Sequence, residues 1–357
     1  MIDPKEKLRK VELMPYNSAW PQLFIEEKKA IAAILQENCV EIHHIGSTAI
    51  PDIYAKPIID ILPIVKDIHL VDALNHEFEK LGYTCMGEYG IKGRRFYWKS
   101  TTVRTHHIHL FAQGSSEITR HIEFKNFLIA HANYANAYSV MKRCLAEVFT
   151  YDIENYVNAK GSFVQMIEYK AGVAKPTQLQ APDNIAIQPY NPVWPKLAAA
   201  EIKTIKMLTE LPYMSIDHLG STAVPNLASK PTIDIFITTA SIAAATRWIA
   251  PLESLGYCFW DENPDKSHLR FFKGMPPFGN ARTHHIHIVA ADNPTIEHRI
   301  LFRDILIKDP QVRMEYEKLK LELSQSNPEN REAYTDGKTH FIKNILQENG
   351  YQGFITR

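Results

Sequence analysis

A chain of 357 residues is long enough for two ordinary domains. Lys plus Arg equals Asp plus Glu at 40 each, so bulk charge draws the protein neither to nucleic acid nor to a membrane surface. No apolar run reaches the roughly 18 residues of a membrane span, the opening MIDPKEKLRK lacks a signal-peptide core, and Cys39, Cys85, Cys144 and Cys258 form no C-x-x-C spacing, as expected of reduced thiols in a cytoplasmic protein.

Residues 11–16 predict a short strand. Ser18 then predicts an N-cap, with Pro21 in the first turn of a helix whose apolar stripe (Leu23, Phe24, Ala30, Ile31, Ile34, Leu35) runs to about Asn38. Residues 41–44 read as a strand broken by Gly46-Ser47, and Pro51 and Pro57 keep the following loop irregular. The apolar, β-branched run 58–65 predicts a central buried strand. An amphipathic helix is expected over 71–81, closed by Gly82. Helices are expected again over 122–131, 137–149 and 156–169, the last with Tyr156 and Lys160 one turn apart.

The chain then repeats itself. HIGSTAIPDIYAKPIIDI at 44–61 returns as HLGSTAVPNLASKPTIDI at 218–235, a constant offset (218 − 44 = 174). Arg95-Phe96 aligns with Arg270-Phe271 at 175, and Arg104-Thr-His-His-Ile-His109 with the identical run ending at His287 at 178. The second copy therefore carries about four extra residues, assigned to a Pro-, Gly- and Asn-rich loop near 263–280. The segment 171–184, small, polar and Pro-containing, reads as a linker, which puts the domains at 1–172 and 183–357. The two copies could also pair within the chain as two subunits of a homodimer would.

A Gly-Ser turn leaving a strand can offer backbone N–H groups and a hydroxyl to a phosphate. Gly46, Ser47, Gly220 and Ser221 are therefore candidate phosphate ligands, with His44 and His218 two residues earlier. Asp60 and Asp234, in the next strand, could hold a divalent metal on that phosphate. In the run RTHHIH, His107 and His109 share one strand face, as do His285 and His287, and each pair plus its aspartate makes a candidate metal site for Mg²⁺, Mn²⁺ or Zn²⁺. The histidines could instead bind phosphate or move protons near neutral pH. Lys56, Lys230, Arg95 and Arg270 are candidates for stabilising charge in a reaction, and Arg104 and Arg282 for phosphate contact. The plainer reading is a tight turn, a buried hydrogen-bonded aspartate and local ion pairs.

Strand, Gly-Ser, loop and aspartate-bearing strand is the arrangement of the nucleotidyltransferase fold, whose paired carboxylates stand two residues apart. Here that second position holds Leu62 and Phe236. The pattern H-[IL]-G-S-T-A-[IV]-P-x-[IL]-x-[AS]-K-P-x-I-D-I, with RTHHIH and a Y-x-x-x-K tail, resembles the GrpB family across both copies. The resemblance implies two tandem nucleotidyltransferase-like α/β (α+β) domains, each a mixed sheet with flanking helices and a helical C-terminal part. Some members of that family are fused to dephospho-CoA kinase, which implies nucleotide or coenzyme A chemistry. The second copy keeps the family's F-R-D pattern with Arg303 and Asp304, where the first has Lys125 and Asn126, which favours the second copy if one alone is active.

Two functions follow as expectations. One is metal-dependent transfer of a nucleotidyl or phosphoryl group. The other is a module that binds a nucleotide-like or coenzyme-A-related small molecule without turning it over. Metal-independent phosphoesterase chemistry fits less well, because each copy has one H-x-H strand where that chemistry usually uses two.

Overall fold

The computed structural model describes residues 10–99, 103–177, 185–209 and 213–353. The opening nine residues and the second half of the expected linker, 178–184, lie outside the described residues. The chain forms two compact units. One comprises Met1–Ala146, Thr150–Ile153 and Ile167–Lys175; the other comprises Glu147–Phe149, Glu154–Met166 and Pro176–Arg357.

In the first unit, β1 (Cys39–Ile45), β2 (Ile59–Val65), β3 (Tyr83–Cys85), β4 (Arg95–Lys99) and β5 (His106–Ala112) form a mixed sheet in the order β1-β2-β5-β4-β3. The apolar run predicted as the central strand is β2, buried at every position except Asp60. It pairs antiparallel with β1 and parallel with β5, and that register sets Asp60 beside His107. Alternation divides the sheet into two faces. Ile59, Ile61, Val65, Ile108 and Leu110 join the core cluster containing Trp20, Ile31, Leu35 and Phe78 from the helices Trp20–Leu35 and Asn75–Lys80. Leu62, Ile64 and Phe111 pack on the other face with Ile118 and Ile122 of the helix Ser116–Ala130. Each such fully buried aliphatic side chain contributes about 1.5–3 kcal/mol. Asp60, two residues from Leu62, shares this second face.

The second unit repeats the plan with β6 (Ser215–Leu219), β7 (Ile233–Thr239), β8 (Tyr257–Phe259), β9 (His268–Lys273) and β10 (His284–Ala290), in the order β6-β7-β10-β9-β8. The fold is thus mixed α/β, with two five-stranded sheets and flanking helices.

Several local expectations change. Residues 11–16 make only an isolated bridge, Met14 to Ala55. Ser18 does not cap the first helix, whose N-cap is Ala19 without a side-chain cap bond; Asn17 Oδ1 accepts from the Ala19 N–H at 2.9 Å. The helix expected over 71–81 is two pieces, His69–Asp72 and Asn75–Lys80, joined where Leu74 and Glu77 donate to carbonyls three residues back. The tail expected over 156–169 also divides, into Ile153–Ala159 and Gly161–Lys170, and Lys160 stands at the break, 4.3 Å from the Tyr156 ring centroid. Among the described residues no helix is long and apolar enough to cross a membrane.

Candidate functional site

The site begins at the Gly-Ser turn. Gly46 has φ +70° and Gly220 φ +75°, in the left-handed region that favours glycine. A Cβ on Gly46 would stand 2.3 Å from Asp60 Oδ2, and one on Gly220 2.4 Å from Asp234 Oδ2. The carboxylate fills the space a side chain would need, which accounts for both the glycine and its fixed partner.

His44 is tied into the same turn. Its Nε2 lies 3.0 Å from Thr48 Oγ1, and that hydroxyl donates to Ile58 O at 3.0 Å. The one hydroxyl proton is thereby used, so His44 Nε2–H is the donor to Thr48. His218, Thr222 and Thr232 O repeat the chain at 3.0 and 2.9 Å. Burial pushes His44 and His218 down to about 4, against the pull of Asp60 and Asp234, so both are neutral at pH 7. Thr48→Val should cost about 2 kcal/mol, since it leaves a ring N–H and a carbonyl without partners; an unchanged unfolding midpoint would show that the chain of bonds does not hold the turn.

Asp60 Oδ1 lies 3.2 Å from His107 Nδ1 and 3.4 Å from His109 Nε2. In the second copy Asp234 Oδ1 lies 2.9 Å from His285 Nδ1, and His287 completes the cluster. Burial pushes Asp60 upward, but hydrogen bonds from His107 and His109 outweigh it and hold the carboxyl well below the usual range. Asp234 is lowered in the same way, mainly by His285. Burial lowers His107 and His287. Each site thus presents an ionised carboxylate and one imidazole, His107 or His287, that burial keeps neutral, the forms in which these groups ligate metals.

Donors spaced at 3.2 and 3.4 Å match the edge, about 3.3 Å, of a tetrahedron with bonds of about 2.0–2.1 Å. Two imidazoles and a carboxylate suit Zn²⁺ better than Mg²⁺, which prefers oxygen. Two protons stand in the way in each copy, the first on the Nδ1 of His107 or His285 that donates to the aspartate. Arg94 Nη1 lies 3.3 Å from His109 Nδ1, and a guanidinium only donates, so the His109 proton is on Nε2, facing Asp60. In the second copy Arg270 Nε donates to His268 Nδ1 at 3.3 Å, and His268 Nε2–H donates to His287 Nδ1 at 2.9 Å. This also places the His287 proton on Nε2. The set fits a small divalent cation when both protons shift to the ring nitrogens that face away from the aspartate and the donor beside His109 or His287 gives way.

The second-carboxylate position is filled on both sides. Phe236 pairs with His287 across β7 and β10 and stacks on its ring at 4.2 Å. Leu62 is fully buried.

Strand register separates the two arginines that the sequence aligns. Arg95 pairs with Leu110, whereas Arg270 pairs with His287. In register terms, Lys99 corresponds to Lys273, so Phe96 is the counterpart of Arg270 and Leu269 that of Arg95. A one-residue slip moves a side chain to the other face. Arg95 therefore lies away from Asp60, held by the Asp72 carboxylate at 2.5 and 2.7 Å. The four extra residues of the second copy all fall between Lys273 and His284.

The remaining predicted residues of the second copy converge. Gly220, Ser221, Lys230, Asp234, Arg270, Arg282, His285 and His287 line one open cavity of about 930 Å³. Its wall carries seven basic side chains (Lys230, Arg270, Arg282, Arg299, Lys320, Arg331, Lys338), of which burial pushes Lys320 down to about 7, against three carboxylates (Asp234, Glu332, Asp336), together with Trp260 and Phe272. The Arg282 guanidinium lies 4.8 Å from the Phe272 ring centroid, and Arg104 lies 3.5 Å from that of Trp98.

The model of the GrpB protein family matches residues 10–170 and 184–348. The chain belongs to the GrpB family. One relative is the UPF0157 protein YqkA of Bacillus subtilis, 41% identical over 163 residues, covering 46% of this chain and 48% of that one. The chain thus spans about half that relative's length. A crystal structure of the conserved protein GrpB from Enterococcus faecalis is 42% identical, covers 45% of this chain and 96% of that one, and has a TM-score of 0.44. A dephospho-CoA kinase of Mycolicibacterium paratuberculosis is 28% identical over 184 residues, 46% of this chain and 45% of its own.

This GrpB chain also contains matched residues that motif reading passed over. Glu27 accepts from Tyr83 OH at 3.0 Å and from Lys99 Nζ at 2.8 Å; Glu201 accepts from Tyr257 OH and Lys273 Nζ, both at 2.9 Å. These groups sit under the opposite sheet face, the face of His106 and His284. Lys142 donates to Ser47 Oγ at 2.9 Å, and its counterpart Lys320 donates to Ala228 O. The signal was present in the repeat itself: each of Glu27, Tyr83 and Lys99 recurs at an offset of 174, and Lys142 at 178.

Proposed function

We propose that this GrpB protein binds a nucleotide-like phosphate ester at the Gly-Ser turn and transfers a phosphoryl or nucleotidyl group from it with the help of a divalent metal. The observation that carries the reading is the cavity of the second copy, where an ionised aspartate and two histidines share one wall with Gly220-Ser221 and a surplus of basic side chains. Asp234, His285 and His287 would hold the metal, as Asp60, His107 and His109 would in the first copy. When bound, a metal supplies Lewis-acid polarisation of a phosphoryl oxygen. The chain's own contribution is positioning and charge. Gly220 lets backbone approach the aspartate, Lys230, Arg270 and Arg282 would neutralise phosphate charge, and Trp260 and Phe272 offer faces to a base. The resemblance of half the chain to a dephospho-CoA kinase supports a nucleotide or coenzyme-A-related ligand.

Changing both Asp60 and Asp234 to asparagine should lower turnover of a nucleoside triphosphate at least ~100-fold, in line with loss of one electrostatic stabiliser. Full activity in the double variant would overturn the assignment. A second reading, binding without turnover, is favoured by Leu62 and Phe236, because one metal cannot make the two-metal clamp. Tight nucleotide binding with no product after long incubation would select it.

A further inference from the structure

We propose that the second copy is the polyphosphate site of the chain, and that Arg299 and Arg270 set it apart from the first. The inference rests on the phosphate reading of the same cavity.

Arg299 lies on the helix Thr295–Lys308, over the Phe236 ring at 5.2 Å. Its Nε is buried without a hydrogen-bond partner, and it lines the cavity beside Asp234. The position 178 residues earlier, the offset of the RTHHIH run, is His121. That ring donates Nδ1–H to Glu117 O at 2.7 Å, and burial keeps it neutral. Arg270 differs in the same sense, because its counterpart by register is Phe96. The first copy does have Arg94 near His109. However, Arg94 spends Nε on Glu88 O, Nη2 on Tyr89 O and Nη1 on His109, whereas Arg270 engages only its Nε among the described residues.

Three of the basic side chains of the second cavity stand apart from its carboxylates. Among the described residues no carboxylate oxygen lies within 4 Å of Arg270, Arg299 or Lys338. Burial lowers Lys338 to about 8, with Lys230, Arg331 and Arg299 pushing the same way and Asp234 opposing. Like charges gathered in a partly dry wall repel one another until a multivalent anion joins them. Arginine forks suit consecutive phosphates, which accept two bonds from each. A cavity of about 930 Å³ falls within the usual range for small-molecule sites, roughly 300–1,000 Å³.

The test is calorimetric titration of the full chain with pyrophosphate and tripolyphosphate at pH 8 in excess chelator, so that no metal contributes. The expected result is one strong site per chain, weakened at least ~10-fold by Arg299→His, partly kept by Arg299→Lys, and joined by a second site in the His121→Arg, Phe96→Arg double variant. Thermal unfolding of each variant checks that it folds. Adenosine diphosphate as a parallel titrant separates affinity for the phosphates from a requirement for the base. Two equal sites, or one site indifferent to Arg299→His and Arg270→Phe, overturns the proposal while leaving the phosphate reading standing. No binding of any polyphosphate overturns both, whatever the Asp60 and Asp234 variants do to turnover.

Discussion

Lys273→Met should destabilise the second unit by about 3–5 kcal/mol at pH 7, the usual cost of leaving one member of a buried ion pair alone. Lys273 is 3% exposed and Glu201 7%, and Tyr257 is the other polar group seen to donate to that carboxylate. Burial pushes Glu201 up, but Lys273, His284 and Tyr257 together hold it below its ordinary 4.5. A carboxyl depressed in the folded state stabilises fully above its unfolded value and loses that contribution as pH falls through the folded one. In the variant burial prevails, the folded value rises above the unfolded one, and stability falls as pH climbs through it. The gap between parent and variant should therefore narrow in acid. Urea unfolding at several pH values between 4 and 8 measures this. A difference under about 1 kcal/mol at pH 7 would show that the pair is not the isolated ion pair its geometry describes. Glu201→Leu with Lys273→Met should recover much of the loss, because removing both charges removes the unpaired one.

Gly220→Ala is the second large effect. The new methyl would lie 2.4 Å from Asp234 Oδ2 and 3.2 Å from its Cγ, on a backbone held at φ +75°. Strain of about 1–3 kcal/mol for the dihedral and a similar amount for the overlap sum to about 2–6 kcal/mol. Relief is available mainly by swinging the carboxylate away from His285, so the variant should lose stability and ligand affinity together. Gly274→Ala is a useful contrast, since its Cβ would meet Ala281 O, far along the chain from the aspartate. If Gly220→Ala unfolds at the parent's midpoint and binds ligand normally, the close approach of turn and aspartate is not part of the working state.

What could be read from the chain alone was whatever the repeat wrote twice. The strand 58–65, the Gly-Ser turn, Asp60 with His107 and His109, and the family all follow from identity at fixed offset, because duplicated residues report the same local environment in both copies. The same comparison, carried beyond the motif, would have found Glu27, Tyr83 and Lys99. The helix break at Leu74 was not legible, since apolar periodicity runs across it without a Pro or Gly, whereas Gly161 marks the one at Lys160 within an otherwise continuous periodicity.

Sequence by itself therefore determined the duplication, the GrpB family, the identity of the central strands and the residues that meet at the aspartate. Tertiary structure alone decided which arginine faces the site. Arg95 and Arg270 look equivalent in a string of letters, but pairing with β5 and β10 puts one opposite Leu110 and the other opposite His287. Strand side chains alternate with a period of two, so a difference of one residue in register reverses the face, and register is set by hydrogen bonds between strands distant in the chain. For the same reason the proton on His109, fixed by Arg94, and the surplus of basic side chains round Asp234 become visible only once the sheets are assembled.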